Sequence, residues 1–207
     1  MKRILLLECS PHQQQASGSQ LARRLIATRW PRAELIERDL VGEPLPPLGA
    51  DYAAALTGNA PFDAPGFACS EALIAELESS DCLIIVTPMH NFTVPAALKL
   101  WIDYVLRIHR SFAATPEGKV GLLQDRPTLV LVSAGGFYQG VRARQADFLT
   151  AYLRHVLSTL GITEVAFVPL QGLAHGDAAV QAALDDALLQ LQRTTSFYFD
   201  CATEIAS

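Results

Sequence analysis

The sequence predicts an α/β fold, a doubly wound five-stranded parallel sheet with helices on both faces. Three observations predict it. Strand-like apolar runs alternate with segments of helical period, which is the pattern of successive βαβ units. The runs ILLL, LIIV and LVLV are apolar throughout, as strands buried on both sheet faces must be. The 207 residues, 50% apolar and 18% charged, suit a single domain over 1–207 with a substantial core.

The expected strands are Arg3–Leu7, Ala33–Glu37, Cys82–Thr87, Thr128–Ser133 and Val165–Pro169. Five such strands fit the common order 2-1-3-4-5, with ligands beyond the carboxyl ends of the strands at the switch point. Helices are expected where apolar residues recur at helical spacing. Ser17–Arg29 places Leu21, Leu25 and Ile26 on one face, and Ser70–Ser80 does the same with Leu73, Ile74 and Leu77. Arg142–Leu160 carries a long apolar repeat and stops at Gly161, the residue type that ends helices in a left-handed conformation. Asp177 to about Thr194 repeats at Val180, Leu184, Ala187, Leu188 and Leu191.

The helix expected over Pro95–Arg110 has two apolar stripes. One is Leu98, Trp101, Ile102 and Val105, and the other is Ala97, Leu100, Tyr104 and Ile108. A surface helix usually has one such stripe. The second is covered either by another subunit or by the proline-rich connection Asp39–Phe67, which reads as a long segment without regular structure. Ser111–Arg126 is a further excursion with a turn at Pro116–Gly118.

Composition narrows the function. A net charge of −5 argues against a nucleic-acid surface. No run approaches the ~18 apolar residues of a membrane span, and Glu8 ends the N-terminal apolar run too early for a signal peptide. Cys9, Cys69, Cys82 and Cys201 form no CxxC pair, and no histidine pair has metal-site spacing. A reducing cytoplasm and no metal are therefore expected.

Three loops follow strands 1, 3 and 4 of the expected sheet. The first, ECSPHQQQASGSQL, brings Ser10, Ser17, Gly18 and Ser19 to a helix start, which is an anion site if the first-turn N–H groups are free. Ser17 also suits a simple capping role. Neither a Walker A nor a GxGxxG pattern is present. The second, Pro88-Met89-His90-Asn91-Phe92, has no acid–base pair, but Met89 and Phe92 offer apolar surface to a flat heterocycle. The third, Ser133-Ala134-Gly135-Gly136-Phe137-Tyr138, has two glycines that let backbone N–H groups approach a ligand closely.

Taken together, the stretches ILLLECSP…SGSQLA, DCLIIVTPMHNFTVPAALKLWIDYVLR, VLVSAGGFY and LGITEVAFV resemble the FMN-dependent NADH-azoreductase family over nearly the whole chain. That family comprises flavodoxin-like NAD(P)H quinone reductases, and its most specific pattern falls on Pro88–Asp103. The resemblance implies a flavodoxin-like fold, one non-covalent FMN per subunit and a homodimer. By position, Ser10, Ser17, Gly18 and Ser19 would hold the phosphate. Pro88, Met89, His90, Asn91 and Phe92 would flank the isoalloxazine. Ser133, Ala134, Gly135, Gly136 and Tyr138 would lie at its pyrimidine edge. It further implies ping-pong turnover: NADH or NADPH reduces the flavin, and a quinone or aromatic azo compound then takes two electrons. No catalytic acid or base is required, since the flavin carries the chemistry. Phe112 is the candidate for stacking on a substrate.

The chain departs from the family at His90, where Tyr is common, at Ala134, where Arg is, at Tyr138, where His is, and at Ala114, where an aromatic is. These positions bear on substrate range and on the choice between NADH and NADPH. The alternative is an FMN-binding electron carrier or regulatory flavoprotein with little NAD(P)H turnover. The TxTGxT phosphate loop of such carriers is absent from the sequence.

Overall fold

The structure is a computed structural model that describes residues 1–193. Cys201 and the expected helix end at Thr194 lie outside the described residues. In chain order the elements are β1 (Arg3–Glu8), α1 (Ser17–Arg29), β2 (Glu34–Asp39), α2 (Ala50–Thr57), α3 (Ala68–Ser79), β3 (Cys82–Pro88), α4 (Ala96–Val105), β4 (Phe112–Thr115), β5 (Gly118–Gly121), β6 (Thr128–Ala134), α5 (Leu149–Leu160), β7 (Val165–Gln171) and α6 (Asp177–Arg193).

Five of the strands form one parallel sheet in the order β2-β1-β3-β6-β7. Without the separate β4–β5 hairpin, this is the expected 2-1-3-4-5 order. Alternation of side chains along each strand divides the interior into two cores. Leu5, Leu7, Leu83, Ile85, Val130 and Val132 face α3, α4 and α5. Ile4, Leu6, Ile84, Val86, Leu129 and Leu131 face α1 and α6. This double burial is why the central strands are apolar without a break.

Both sheet edges are protected. On β2, Glu37, Arg38 and Asp39 lie along the edge, with Arg23 paired to Glu37 and Arg38 paired to Glu76. On β7, Pro169 sits opposite Val132 of β6, and its missing N–H costs no bond because the outer side has no partner strand. Among the described residues, no helix is long and apolar enough to cross a membrane.

Several expectations need correction. The connection Asp39–Phe67 is not irregular throughout: it contains α2, whose Tyr52 packs edge-on against Tyr104 at 5.4 Å. Tyr104 also donates its hydroxyl to Pro46 O at 3.0 Å, so this connection covers part of the second stripe of α4. Ala97 and Leu100 of the same stripe remain half-buried. Residues 111–126 contain an antiparallel hairpin, β4–β5, closed at Thr115–Gly118. The helix expected from Arg142 begins only at Leu149. The Phe148 N–H goes to Phe92 O at 3.0 Å instead of into a helical turn, and Asp147 Oδ1 accepts the Thr150 N–H at 2.9 Å, which starts the helix at Leu149. The helix expected to run to Arg110 ends at Val105. There Ser111 accepts the Arg107 N–H at 2.9 Å and donates to Val105 O, replacing the next helical turn.

Gly161 ends α5 with φ of 101°, as its position in the sequence implies. A Cβ on Gly121 would lie 2.0 Å from Gly161 N, so the hairpin docks on the end of α5 backbone to backbone.

Arg107 joins α3, α4 and the hairpin. It is 1% exposed, pairs with Glu71, donates to Ser70 Oγ at 3.2 Å and lies 4.2 Å over the Phe67 ring. Removing one partner of such a buried pair strands the other. Arg107→Ala should therefore destabilise the protein by about 3 kcal/mol, measured as a fall in the urea unfolding midpoint. Arg110→Ala, which removes a more exposed partner of Glu71 and Glu78, should cost less.

Candidate functional site

The carboxyl ends of β1, β3 and β6 meet at the centre of the sheet, and their loops are tied to one another. The last inter-strand bond of the β3–β6 ladder runs from the Met89 N–H to Ser133 O at 2.8 Å. On the other side of β3, the Cys9 N–H reaches Val86 O at 2.9 Å. Pro88 follows this last bond to β1, so its missing N–H leaves no acceptor unsatisfied on that side.

The first loop meets the third at Gly18. A Cβ there would lie 2.9 Å from Val86 Cγ1 and 3.2 Å from Ser133 Oγ, so only glycine lets α1 pack this closely. The helix is capped by Ala16, which supplies no side-chain acceptor, and Ser17 is the first helical residue rather than the cap. The first-turn N–H groups of Ser17, Gly18 and Ser19 thus find no acceptor among the described residues. Ser10 is buried, and its hydroxyl oxygen accepts the His12 N–H at 3.2 Å, leaving its proton to donate. Ser19 differs from the expectation: it is fully buried and donates its hydroxyl to Glu8 Oε2 at 2.5 Å, so only its N–H is available to an anion.

The second loop is a tight reversal. Asn91 and Phe92 both have positive φ, 47° and 75°, and His90 and Thr93 exchange N–H···O bonds of 3.0 Å in each direction. This is the geometry of a two-residue hairpin turn with two left-handed positions. Asn tolerates that conformation, but Phe pays for it in strain. The strained Phe92 is 48% exposed, while Met89 below it is buried. Gln145 donates to Met89 Sδ at 3.3 Å.

The third loop is shaped from β7 and the segment after it. Gln171 Oε1 accepts the N–H groups of Tyr138 and Gln139 at 3.0 and 3.1 Å. Gly136 O and Gly135 O accept from Gly172 and Ala174 at 3.0 and 3.1 Å. Tyr138 is buried, and burial, with a smaller contribution from the Asp147 charge, pushes its phenol well up. It therefore stays protonated at working pH and can donate but not act as a base. Ala134 is buried at the end of β6, and His90 is exposed.

Phe112 stands apart from this assembly. It is buried at the root of the hairpin, and Lys119 Nζ lies 4.9 Å from its ring centroid. A substrate that stacks on this ring has to displace Lys119. Sequence reasoning missed Gln145, Gln171 and Glu8. The first was absorbed into an overlong helix, the second lies two residues beyond the expected end of its strand, and the third reads only as the end of β1.

Phe92→Gly should raise thermal stability, because glycine at the second turn position removes about 1 kcal/mol of strain. A differential scanning melt would check this, and an unchanged or lower Tm would show that the Phe92 ring contributes more packing than strain.

A family model described as flavodoxin-like fold matches residues 2–195. The chain is 64% identical over 190 residues to an FMN-dependent NADH:quinone oxidoreductase of Pseudomonas fluorescens, covering 90% of this chain and 92% of that protein. It is 55% identical over 186 residues to another from Burkholderia lata, covering 88% and 91%. Among solved structures, an azoreductase from Bacillus anthracis superposes with a TM-score of 0.79 at 23% identity, covering 96% of this chain and all of that one (100%). An FMN-dependent NADH-azoreductase of the same species, in complex with FMN, gives 0.76 at 20% identity over 93% and 99%. At these identities the structural likeness speaks for the fold, and the sequence relatives speak for the family. The interlocked loops at the switch point and the near-full-length identity lead to one conclusion: the chain belongs to the FMN-dependent NADH:quinone oxidoreductase family, built on the flavodoxin-like fold.

Proposed function

We propose that the protein is an FMN-dependent NADH:quinone oxidoreductase that also reduces aromatic azo compounds. The observation that carries this reading is the Met89–Ser133–Gly18 junction, which brings an anion-binding helix start, an apolar wall and a glycine-rich loop to one place. FMN needs these same features: a seat for its phosphate, a flat apolar contact and backbone donors at a polar ring edge. The residues present fit that group. The first turn of α1 has unpaired N–H groups, Ser10 has a free hydroxyl proton, and the first loop contains no lysine or arginine to do the same work.

When bound, FMN would supply the two-electron redox chemistry between NADH and the acceptor. The chain's own residues bind and orient. Ser10, Ser17, Gly18 and Ser19 hold the phosphate, Ser19 through its N–H. Pro88, Met89, His90, Asn91 and Phe92 would wall the ring system, and the positive φ of Asn91 is part of the turn that shapes this loop. Ser133, Ala134, Gly135 and Gly136 face the pyrimidine edge, and Tyr138 supports them as a neutral donor. No side chain is needed as an acid or base, and water can deliver the protons. A homodimer is supported by the half-buried Ala97 and Leu100 on α4 and by Phe148, which is 64% exposed beside the site. A cytoplasmic setting is supported by the unpaired thiols of Cys9, Cys69 and Cys82.

Anaerobic stopped-flow absorbance tests the reading. NADH should bleach the oxidised flavin band of the reconstituted protein, and a quinone should restore it. A bound flavin that NADH leaves oxidised would instead indicate an electron carrier. Met89→Ala should weaken FMN binding about tenfold, corresponding to about 1.4 kcal/mol of lost apolar contact, measured by fluorescence titration.

A further inference from the structure

Glu8 is the last residue of β1 and opens the loop that leads to α1. It is 1% exposed. Its Oε2 accepts the Ser19 hydroxyl at 2.5 Å, whereas its Oε1 is buried with no hydrogen-bond partner among the described residues. An unpartnered buried carboxyl oxygen is costly. Through Oε2 the carboxyl group holds Ser19, in the first turn of α1 where the proposed phosphate would sit, while Oε1 is turned toward Arg23 on the next turn.

Among the described residues, the charged groups that act on Glu8 come from two neighbouring elements, α1 and β2. On α1, Arg23 Nη2 is 3.7 Å from Oε1, too long for a hydrogen bond, and the same guanidinium is already paired with Glu37. On β2, Glu37 and Asp39 add further negative charge, and just after β1 the neighbouring Cys9 thiol is pushed up by burial and then by Glu8 itself. On β3, the residue in register with Glu8 is the apolar Val86. Arg23 therefore stands against three carboxyl groups, Glu8, Glu37 and Asp39. Burial raises the Glu8 pKa above its ordinary value. The Ser19 hydrogen bond and Arg23 oppose that shift, and Glu37 and Asp39 add to it.

We propose that Glu8 is a proton-linked positioning residue: it fixes the first turn of α1 through Ser19, and seating the FMN phosphate there is coupled to its protonation. This rests on the placement of the phosphate at α1 given above. The sign follows from linkage. A phosphate dianion beside a buried carboxyl favours the neutral acid, so binding takes up a proton. Affinity is then greatest where Glu8 is already protonated. It falls as pH rises from the raised pKa of the free protein to the still higher pKa of the complex. The FMN phosphate also loses its second proton near pH 6, which alone would put a step there in any variant with a charged Glu8; only a step that belongs to Glu8 moves in Ser19→Ala.

The test is titration of the full chain, stripped of flavin, with FMN and with riboflavin, following flavin fluorescence between about pH 5 and about pH 8. It compares the wild type with Glu8→Gln, which keeps an acceptor for Ser19 but carries no charge. For FMN, the ratio of wild-type to E8Q Kd should climb from near one at the acid end to about tenfold at the alkaline end, the effect of one pKa unit of coupling. For riboflavin, which has no phosphate, the ratio should stay flat. A flat FMN ratio overturns the inference. Equal wild-type affinity for FMN and riboflavin overturns instead the phosphate placement on which it rests. Ser19→Ala provides the second variant if E8Q does not fold. Without the hydroxyl that holds the Glu8 pKa down, the pH step in FMN affinity should move to higher pH, and a step that does not move refutes the coupling.

Discussion

One hydrogen bond, from the Met89 N–H to Ser133 O, fixes the geometry on which the site depends. It is the final inter-strand bond of the central ladder, and β1 has already stopped pairing with β3 by this point. Beyond it the chain is free to leave the sheet, but from a known place and in a known direction. Pro88 immediately before it restricts the backbone further. The reversal at Asn91–Phe92, the entry to α4 and the exposure of the Phe92 ring all follow from that starting point. So does the position of Ser133, against which α1 packs through Gly18.

The strain at Phe92 persists because its surroundings over-determine it. Its carbonyl takes the Phe148 N–H, Gln145 reaches Met89, and the two ends of the turn exchange hydrogen bonds. The segment that makes these contacts, 141–148, gives up helical structure to do so. Loss of regular structure in one place thus supports a strained conformation in another, and both border the site. The cluster around Arg107 works differently. It anchors α3 and α4 on the face of the sheet opposite α1 and α6.

The fold was legible because its strongest signals are repetitive. An apolar strand buried on both faces cannot resemble a surface helix, and five of them separated by helical segments leave few topologies. Gly161 was legible because a left-handed helix end strongly prefers that residue. The boundary at Arg142 is not legible because it depends on a hydrogen bond to Phe92, far away in sequence, and the one at Arg110 because a local Ser111 turn replaces the next helical turn where the apolar pattern continues. The three loops could be placed from the ends of the strands. The inward turn of Ser19 toward Glu8 could not, since a serine at a helix start looks the same whether its hydroxyl faces a ligand or the core. Phe112 is the candidate for stacking on a substrate, and the hairpin brings Lys119 over its ring, a contact that no local pattern in the sequence announces.

The protected edges of the sheet have a consequence for assembly. A parallel sheet with bare edges can recruit further strands without limit, and such growth does not close. Here one edge ends in alternating charge already engaged in ion pairs, and the other carries a proline at its centre. Backbone pairing between copies is disfavoured on both sides. Self-association is thereby directed to side-chain surfaces on the helices and loops, where contact can be self-complementary and finite. The flanks of the sheet thus guard the protein against edge-to-edge strand addition.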